Sequence, residues 1–477
     1  MKTNNKYSNG ITLISLVVTI IVLLILSGVA LTMLTGENGI LKMAKTAREK
    51  TIEADEDEKE KLRGVQSLLE GSGGTIEEVK TNGTVTSRLV ADGKGGSFYL
   101  PVGFYYVGGT VASGVVISDN SLDDGKYLEK TNVGKTDLVG NQYVWIPVDD
   151  KKIVFAQHDY SKERWPAGSE YSNYSDWKNK HYTGINISGG YEYEMDSNIA
   201  SVKKYGGFYI GRYEAGWEPV TIDTTTYTNN KPIGDSKVPE SKYGYAPWNH
   251  ISQIKSSIVC DRLNNKEGYE NVKARLIDGY AWDTTVEYIK SAVSSVTISN
   301  TYGNYSNSLS KARGVLIGYK IYKTAKNGTG TTGWVYNGIK YRYEPNEITI
   351  GARELDENET EDMILADTIL TEAGESLDTT NYTYKLYYEL TTGGSESTKV
   401  KNIYDLAGNM CEWTSEVGGH DSLSENNWKY NEQTFGSIRG GSFNNYDLNL
   451  PVTYRSGFAD VTKSDIDFGF RCVLYVK

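Results

Sequence analysis

Three glycine-punctuated stretches near the end of the chain leave little freedom to the fold around them. They are Ile403 to Thr414 (IYDLAGNMCEWT), Arg439 to Phe443 (RGGSF) and Gly469 to Val473 (GFRCV). Gly408-Asn409 is a turn dipeptide that tolerates positive φ, and Met410, Cys411 and Trp413 after it read as a strand entering a core. Arg439-Gly440-Gly441 lets the chain pass close to another backbone while one guanidinium makes several hydrogen bonds. Each motif is first of all a framework element.

The N-terminus poses a different constraint. Ile11 to Leu34 carries no charge and would extend about 36 Å as a helix, at roughly 1.5 Å per residue, enough to span a bilayer. Lys2 and Lys6 precede it, which keeps the short N-terminus cytoplasmic. The apolar run is too long for a cleaved secretory signal, and no small-residue cleavage site ends it. Ile40 to Glu70 is dense in Lys, Arg, Glu and Asp with an imperfect apolar stripe, so it reads as a solvated helical stalk. Gly71 to Gly74 (GSGG) breaks it. The expected organisation is a leader over 1–10, a transmembrane helix over 11–35, a charged stalk over 36–70, a linker over 71–97 with one strand at most, and a head over 98–477.

Within the head, Phe98 to Val107 and Gln142 to Val148 are aromatic and β-branched and predict strands. Phe208 to Ala215 (FYIGRYEA) predicts a third. Ser252 to Leu263 predicts a helix with Ile254, Ile258, Val259 and Leu263 on one side. Asp278 caps a second, with Trp282, Val286, Ile289 and Val293 at helical spacing. Residues 308–387, rich in tyrosine and with an acidic run from Glu354 to Asp362, read as an insertion with its own short strands.

Composition excludes several functions. A net charge of −11 argues against a nucleic acid held by its phosphates. Three cysteines are too few for a disulfide scaffold, and the odd number leaves at least one thiol unpaired. The four histidines, His158, His181, His250 and His420, are scattered, which argues against a His-based zinc or iron centre. The 37 tyrosines against 9 phenylalanines fit a loop-rich fold displaying amphipathic rings, or Tyr standing for Phe in half-buried strands.

The three C-terminal stretches resemble the signature of the formylglycine-generating enzyme, or sulfatase-modifying factor, domain. FYIGRYEA and Arg275 to Asp278 with Trp282 resemble its FYIGKYEVT and RLPTEAEW, which extends the likeness from Phe208 to the C-terminus. This resemblance implies an α+β, C-type-lectin-like head with few regular elements and many loops. Enzymes of the family use a cysteine pair between RGGS and the closing GFR to hold copper; Phe443 to Phe468 contains no cysteine, so copper and the known catalysis are not expected. Cys411 and Cys472 read as buried inert thiols, or as a Cys411–Cys472 disulfide in an oxidising exterior. By resemblance a structural Ca2+ would take Asp405, the carbonyls of Gly408 and Met410, and Glu412, oxygen ligands around a glycine turn. The alternative is that Asp405 caps a turn and Glu412 pairs with an arginine such as Arg439.

The N-terminal stretch resembles a type IV prepilin leader, in which a prepilin peptidase cuts after the glycine, here Gly10, and methylates the new N-terminus, here Ile11. Pilins carry Glu as the fifth mature residue; this chain has Ser15, which leaves membrane anchoring intact and removes the carboxylate that aligns filament subunits. The segment Asn444 to Asp467, between RGGSF and GFR, is similar to the mutable ligand-contacting segment of variable proteins of diversity-generating retroelements. Candidate contacts to a protein or glycan ligand are Asn444, Asn445, Tyr446, Asp447, Asn449, Tyr454, Ser456, Phe458, Asp460 and Asp465, adaptable polar groups among rigid rings. The expected function is that of a membrane-anchored, surface-displayed binding protein with an extracellular head and no nucleic-acid partner. The rival readings are a minor type IV pilin or pseudopilin, and an enzyme of altered chemistry on the same fold.

Overall fold

A computed structural model describes residues 77–477, apart from 126–137, 150–151, 157, 159–190, 221–236, 307, 309–314, 327–332, 335–339, 342–352, 355–377, 379, 418–428, 431–432 and 446–449. Residues 74–477 form one compact unit. The leader, the apolar run and the stalk, with Gly10, Ile11 and Ser15, lie outside the described residues, among which no helix is long and apolar enough to cross a membrane.

The unit opens on β1 (Glu77–Thr81), β2 (Thr84–Ala91) and β3 (Ser97–Pro101), an antiparallel three-stranded sheet. The linker expected over 71–97 is therefore corrected: Asn82-Gly83, both at positive φ, turns β1 back onto β2, a two-residue connection of the kind that hairpins favour. Next come β4 (Tyr105–Gly108), β5 (Val116–Ser118), β6 (Gln142–Pro147), α1 (Tyr191–Tyr205) and β7 (Gly207–Gly211). They are followed by β8 (Gly216–Pro219), β9 (Tyr245–Pro247), α2 (Gln253–Arg262), β10 (Val272–Leu276) and α3 (Gly279–Ile289). The 308–387 region holds β11 (Val315–Ala325), which pairs with β12 (Gly333–Trp334), β13 (Lys340–Tyr341), β14 (Arg353–Glu354) and the long returning β15 (Tyr382–Leu390). The C-terminal part contributes β16 (Cys411–Val417), β17 (Lys429–Tyr430), β18 (Gln433–Arg439), β19 (Arg455–Asp460), β20 (Phe468–Phe470) and β21 (Cys472–Val476).

The central sheet has the order β10-β21-β7-β6-β5-β4, so the last strand of the chain is inserted between strands from its middle. Alternation along each strand sends Ile117, Tyr143, Trp145, Tyr209 and Leu474 to one core, and Val116, Val144, Ile146, Ile210 and Val473 to another. Both faces are covered, which is why the middles of these strands are apolar on both sides. Asp278 accepts from Ala281 N as the cap of α3, as its sequence predicts, and Trp282, Val286 and Ile289 of α3 fill the second core. The predicted face of α2 is corrected. Ile254 and Ile258 are exposed, whereas Gln253, Ser256, Val259 and Cys260 point inward.

The GN turn behaves as its residues dictate. Gly408 has φ +75°, and a Cβ there would lie 2.4 Å from the Asn304 carbonyl oxygen. Beyond the turn, β16 runs parallel to β20 and antiparallel to β18. The three C-terminal motifs thus meet in one small sheet.

Candidate functional site

Two buried polar clusters and one loop segment define the C-terminal end of the head. The first cluster surrounds Asn409. Its Nδ2 donates to Glu214 Oε2 (2.8 Å) and the Leu390 carbonyl (3.2 Å), and its Oδ1 accepts from Leu390 N (3.0 Å) and Asn304 Nδ2 (3.0 Å). Met410 N donates to the other Glu214 oxygen (3.0 Å). Arg471 grips Glu412 through Nε (3.1 and 3.0 Å) and Nη2 (2.6 Å), and also donates to the carbonyls of Gly211 and Tyr404. Asp405, at φ +55°, accepts from Gly393 N and the Thr398 hydroxyl, both at 2.7 Å.

This cluster sets three carboxylates against one guanidinium. Burial, then the charges of Asp405 and Glu412, raises the Glu214 carboxyl well above its usual range. Burial raises Asp405 to about 6 against the Thr398 and Gly393 donors, and burial also raises Glu412 against the pull of Arg471. Of the two readings of Asp405 and Glu412, the arrangement fits the turn cap and arginine pair, with Arg471 in place of the suggested Arg439. Both oxygens of each carboxylate already hold protein donors, so the pair does not fit a cation as arranged. Among the described residues, no group of three or more His, Cys, Asp or Glu side chains is placed to hold a metal ion.

The second cluster is charge-balanced. Arg439 pairs with Asp283 and with Glu416 (3.2 Å), and Arg455 pairs with Asp283 (2.7 Å) and Glu416 (2.7 Å). Asp283, on α3, and Arg439, on β18, are fully buried, while the Arg455 side chain keeps 19% of its surface. The Arg439 guanidinium also lies over the Trp282 ring. These four side chains join α3, β16, β18 and β19.

The segment Asn444 to Asp467 is clamped at its base. Ser442 Oγ lies 2.7 Å from Asn445 Oδ1 and 2.8 Å from Asp467 Oδ2, bringing the two ends of the segment together. Asn445 also accepts from Ser442 N and, through its carbonyl, from Ser306. In the middle, the Trp282 indole donates to the Val452 carbonyl (2.9 Å) and Val452 N donates to Ser299 Oγ (3.0 Å). Gly441, at φ +69°, passes so close to this segment that a Cβ would sit 2.3 Å from the Leu450 carbonyl oxygen.

The predicted contacts divide accordingly. Asn444 and Tyr454 are half-buried. Asn445 points into the framework. Asp460 accepts from Thr462 N and its hydroxyl, and Asp465 accepts from Ile466 N and pairs with Lys463, so both shape the 460–466 turn. Ser456 and Phe458 lie on β19, an outer strand paired to β18; Tyr446, Asp447 and Asn449 lie outside the described residues. Sequence reasoning missed Arg455, Asp283 and Glu416. Arg455 is the lone arginine of the segment, and that was the available signal.

The Cys411–Cys472 pairing is corrected. Cys472 is bonded to Cys260 of α2 (Cα–Cα 5.9 Å), and Cys411 is buried and free. Burial, then the Asp467 charge, pushes the Cys411 thiol well up, so it stays protonated and inert.

Residues 387–476 match the family model of the sulfatase-modifying factor enzyme 1-like domain. Comparison with curated proteins finds no match. Among solved structures, similarity is found to Treponema denticola variable protein 1, with 11% identity, a TM-score of 0.25, and coverage of 57% of this chain and 85% of that one. It is also found to CarF (12%, 0.26, 57% and 88%) and to PvdO from Pseudomonas aeruginosa (14%, 0.24, 57% and 82%). At such TM-scores these likenesses carry no argument.

Proposed function

We propose that this chain is a membrane-anchored, surface-displayed binding protein whose segment Asn444 to Asp467 contacts a protein or glycan ligand, without copper oxidase chemistry. The observation that carries this reading is the clamp. Ser442, Asn445 and Asp467 close the base of the segment, and Arg455 is braced by Asp283 and Glu416. A loop fixed at its ends and backed by a rigid sheet can change its intervening residues without losing its frame, as paratopes on rigid scaffolds do. The anchor is Ile11 to Leu34, with processing between Gly10 and Ile11.

Two experiments test it. Sequencing the 3′ end of the gene across a cultured population should find substitutions confined between Ser442 and Phe470 and clustered at adenines. An invariant segment removes diversification and leaves an adhesin of fixed specificity. Incorporation of Ser15→Glu into filaments distinguishes the pilin reading: a simple anchor is indifferent to the change, whereas a minor pilin gains from it.

A further inference from the structure

A cleft of about 620 Å³ opens between α1 and the edge formed by β10 and the end of β21. It lies apart from the clamped segment: β21 begins beside Arg471 and reaches the cleft only at Tyr475 to Lys477, some 10–15 Å further along at about 3.3 Å per residue. Strand alternation explains its lining. Lys273 and Arg275 share one face of β10, opposite Tyr475 and Val473 in the register. From α1, Ser197, Ser201 and Lys204 face the same space.

The cleft is built rather than incidental. Ser201 Oγ donates to the Val476 carbonyl (2.6 Å), and Asn198 Nδ2 donates to Asp278 Oδ2 (3.1 Å), so α1 is fixed against the strand ends. Its charge is one-sided. Lys204, Lys273, Arg275 and Lys477 line it, and among the described residues no acidic side chain does, in a chain whose net charge is −11. Burial, then the neighbouring Lys273, holds the Lys477 ammonium below its usual range. An anion between them would relieve that crowding. The exposed walls are mainly carbon, to which the stems of the lining lysines contribute. Carbon walls with cationic heads match a compact ring whose edge carries negative charge, and the volume suits a ligand of a few sugar units.

We infer that this cleft is a second binding site, which takes an acidic saccharide bearing carboxylate or phosphate groups. Lys273 and Arg275 meet the anionic groups, with Lys204 closing from the helix side. A short saccharide is the class that supplies both an anionic edge and a carbon-rich face.

The test is calorimetric titration of the full chain in detergent micelles with a galacturonic acid trimer, galactose 6-phosphate and a neutral galactose trimer. At least one acidic probe should bind, and the neutral trimer should bind at least about tenfold more weakly. Affinity should fall as salt rises from about 50 to about 500 mM. Carboxylate-only or phosphate-only binding identifies the group recognised, and both outcomes support the site. The double variant K273E/R275E should weaken binding by about tenfold or more, and Lys204→Glu, a change on the helix surface, should weaken it without depending on the edge strand. Failure of both acidic probes, equal binding of the neutral trimer, or wild-type affinity in both charge-reversal variants overturns the inference. Loss of acidic-probe binding in Arg455→Ala, with K273E/R275E unaffected, would move the site to the clamped segment and also overturn it.

Discussion

The two buried polar clusters are close in sequence and opposite in design. The Arg471 cluster sets Glu214, Asp405 and Glu412 against a single guanidinium, with Asn409 and backbone donors making up the difference. The Arg439–Arg455 cluster pairs two guanidiniums with two carboxylates and leaves one of them part-exposed. The first holds the framework motifs together out of reach of solvent. The second joins that framework to the segment proposed to bind ligand. A surplus of buried charge makes a joint that cannot be altered cheaply, whereas a balanced set with one partly solvated member allows its outer strand to be changed.

The sharpest way to break the contrast is Arg471→Met, which strands three buried carboxylates and should cost about 3–5 kcal/mol, read as a fall in the urea midpoint. Acidity probes the same cluster without mutation. The folded-state value of Asp405 is raised from 3.8 to about 6, so between those values the native state holds a proton that the unfolded chain has lost. Stability is therefore highest at the acid end of that window and falls as pH rises through about 6, by roughly 2–3 kcal/mol. Urea unfolding at pH 5 and pH 7.5 should show about half of this fall, roughly 1–1.5 kcal/mol, because at pH 5 part of it has already been lost, and Asp405→Asn should flatten it; a slope of opposite sign would mean that Asp405 is not held protonated. Arg455→Ala is milder, about 1–2 kcal/mol, because the guanidinium removed already meets solvent and Arg439 still pairs with both carboxylates, yet it should shorten residence on the ligand. If it costs as much as Arg471→Met, the second cluster is framework as well. The smallest expected effect is that of calcium. With Arg471 beside Glu412, excess chelator and excess calcium should give melting temperatures within about 1 °C of each other, and a rise of several degrees with calcium would restore the ligand set that the family resemblance implies.

Much of the frame was legible because local chemistry agreed with tertiary need. The Asp278 cap, the GN turn and the strands around Trp145 and Tyr209 are each specified by a few neighbouring residues. The face of α2 was misread because polarity was taken as a sign of exposure. Gln253 is buried since its Nε2 donates to the Thr414 and Glu416 carbonyls (2.6 and 2.7 Å), while Ile254 and Ile258 remain outside. Helix α1 was missed because YEYEMDSNIASVKKY offers only a weak apolar stripe, and its place is set by contacts with β21 and β7. The clamp on the loop segment was invisible because Ser442 and Asp467, or Arg455 and Asp283, are brought together only by the completed sheet.

The Cys260–Cys472 bond has a consequence for how this molecule would wear. It spans 212 positions, and the whole 308–387 region and the clamped segment lie inside that span. A protease that nicks the backbone anywhere within it leaves two polypeptides riveted together, migrating as one band until a reductant is added. A head carried outside the cell could thus be cut in an outlying loop and stay in one piece.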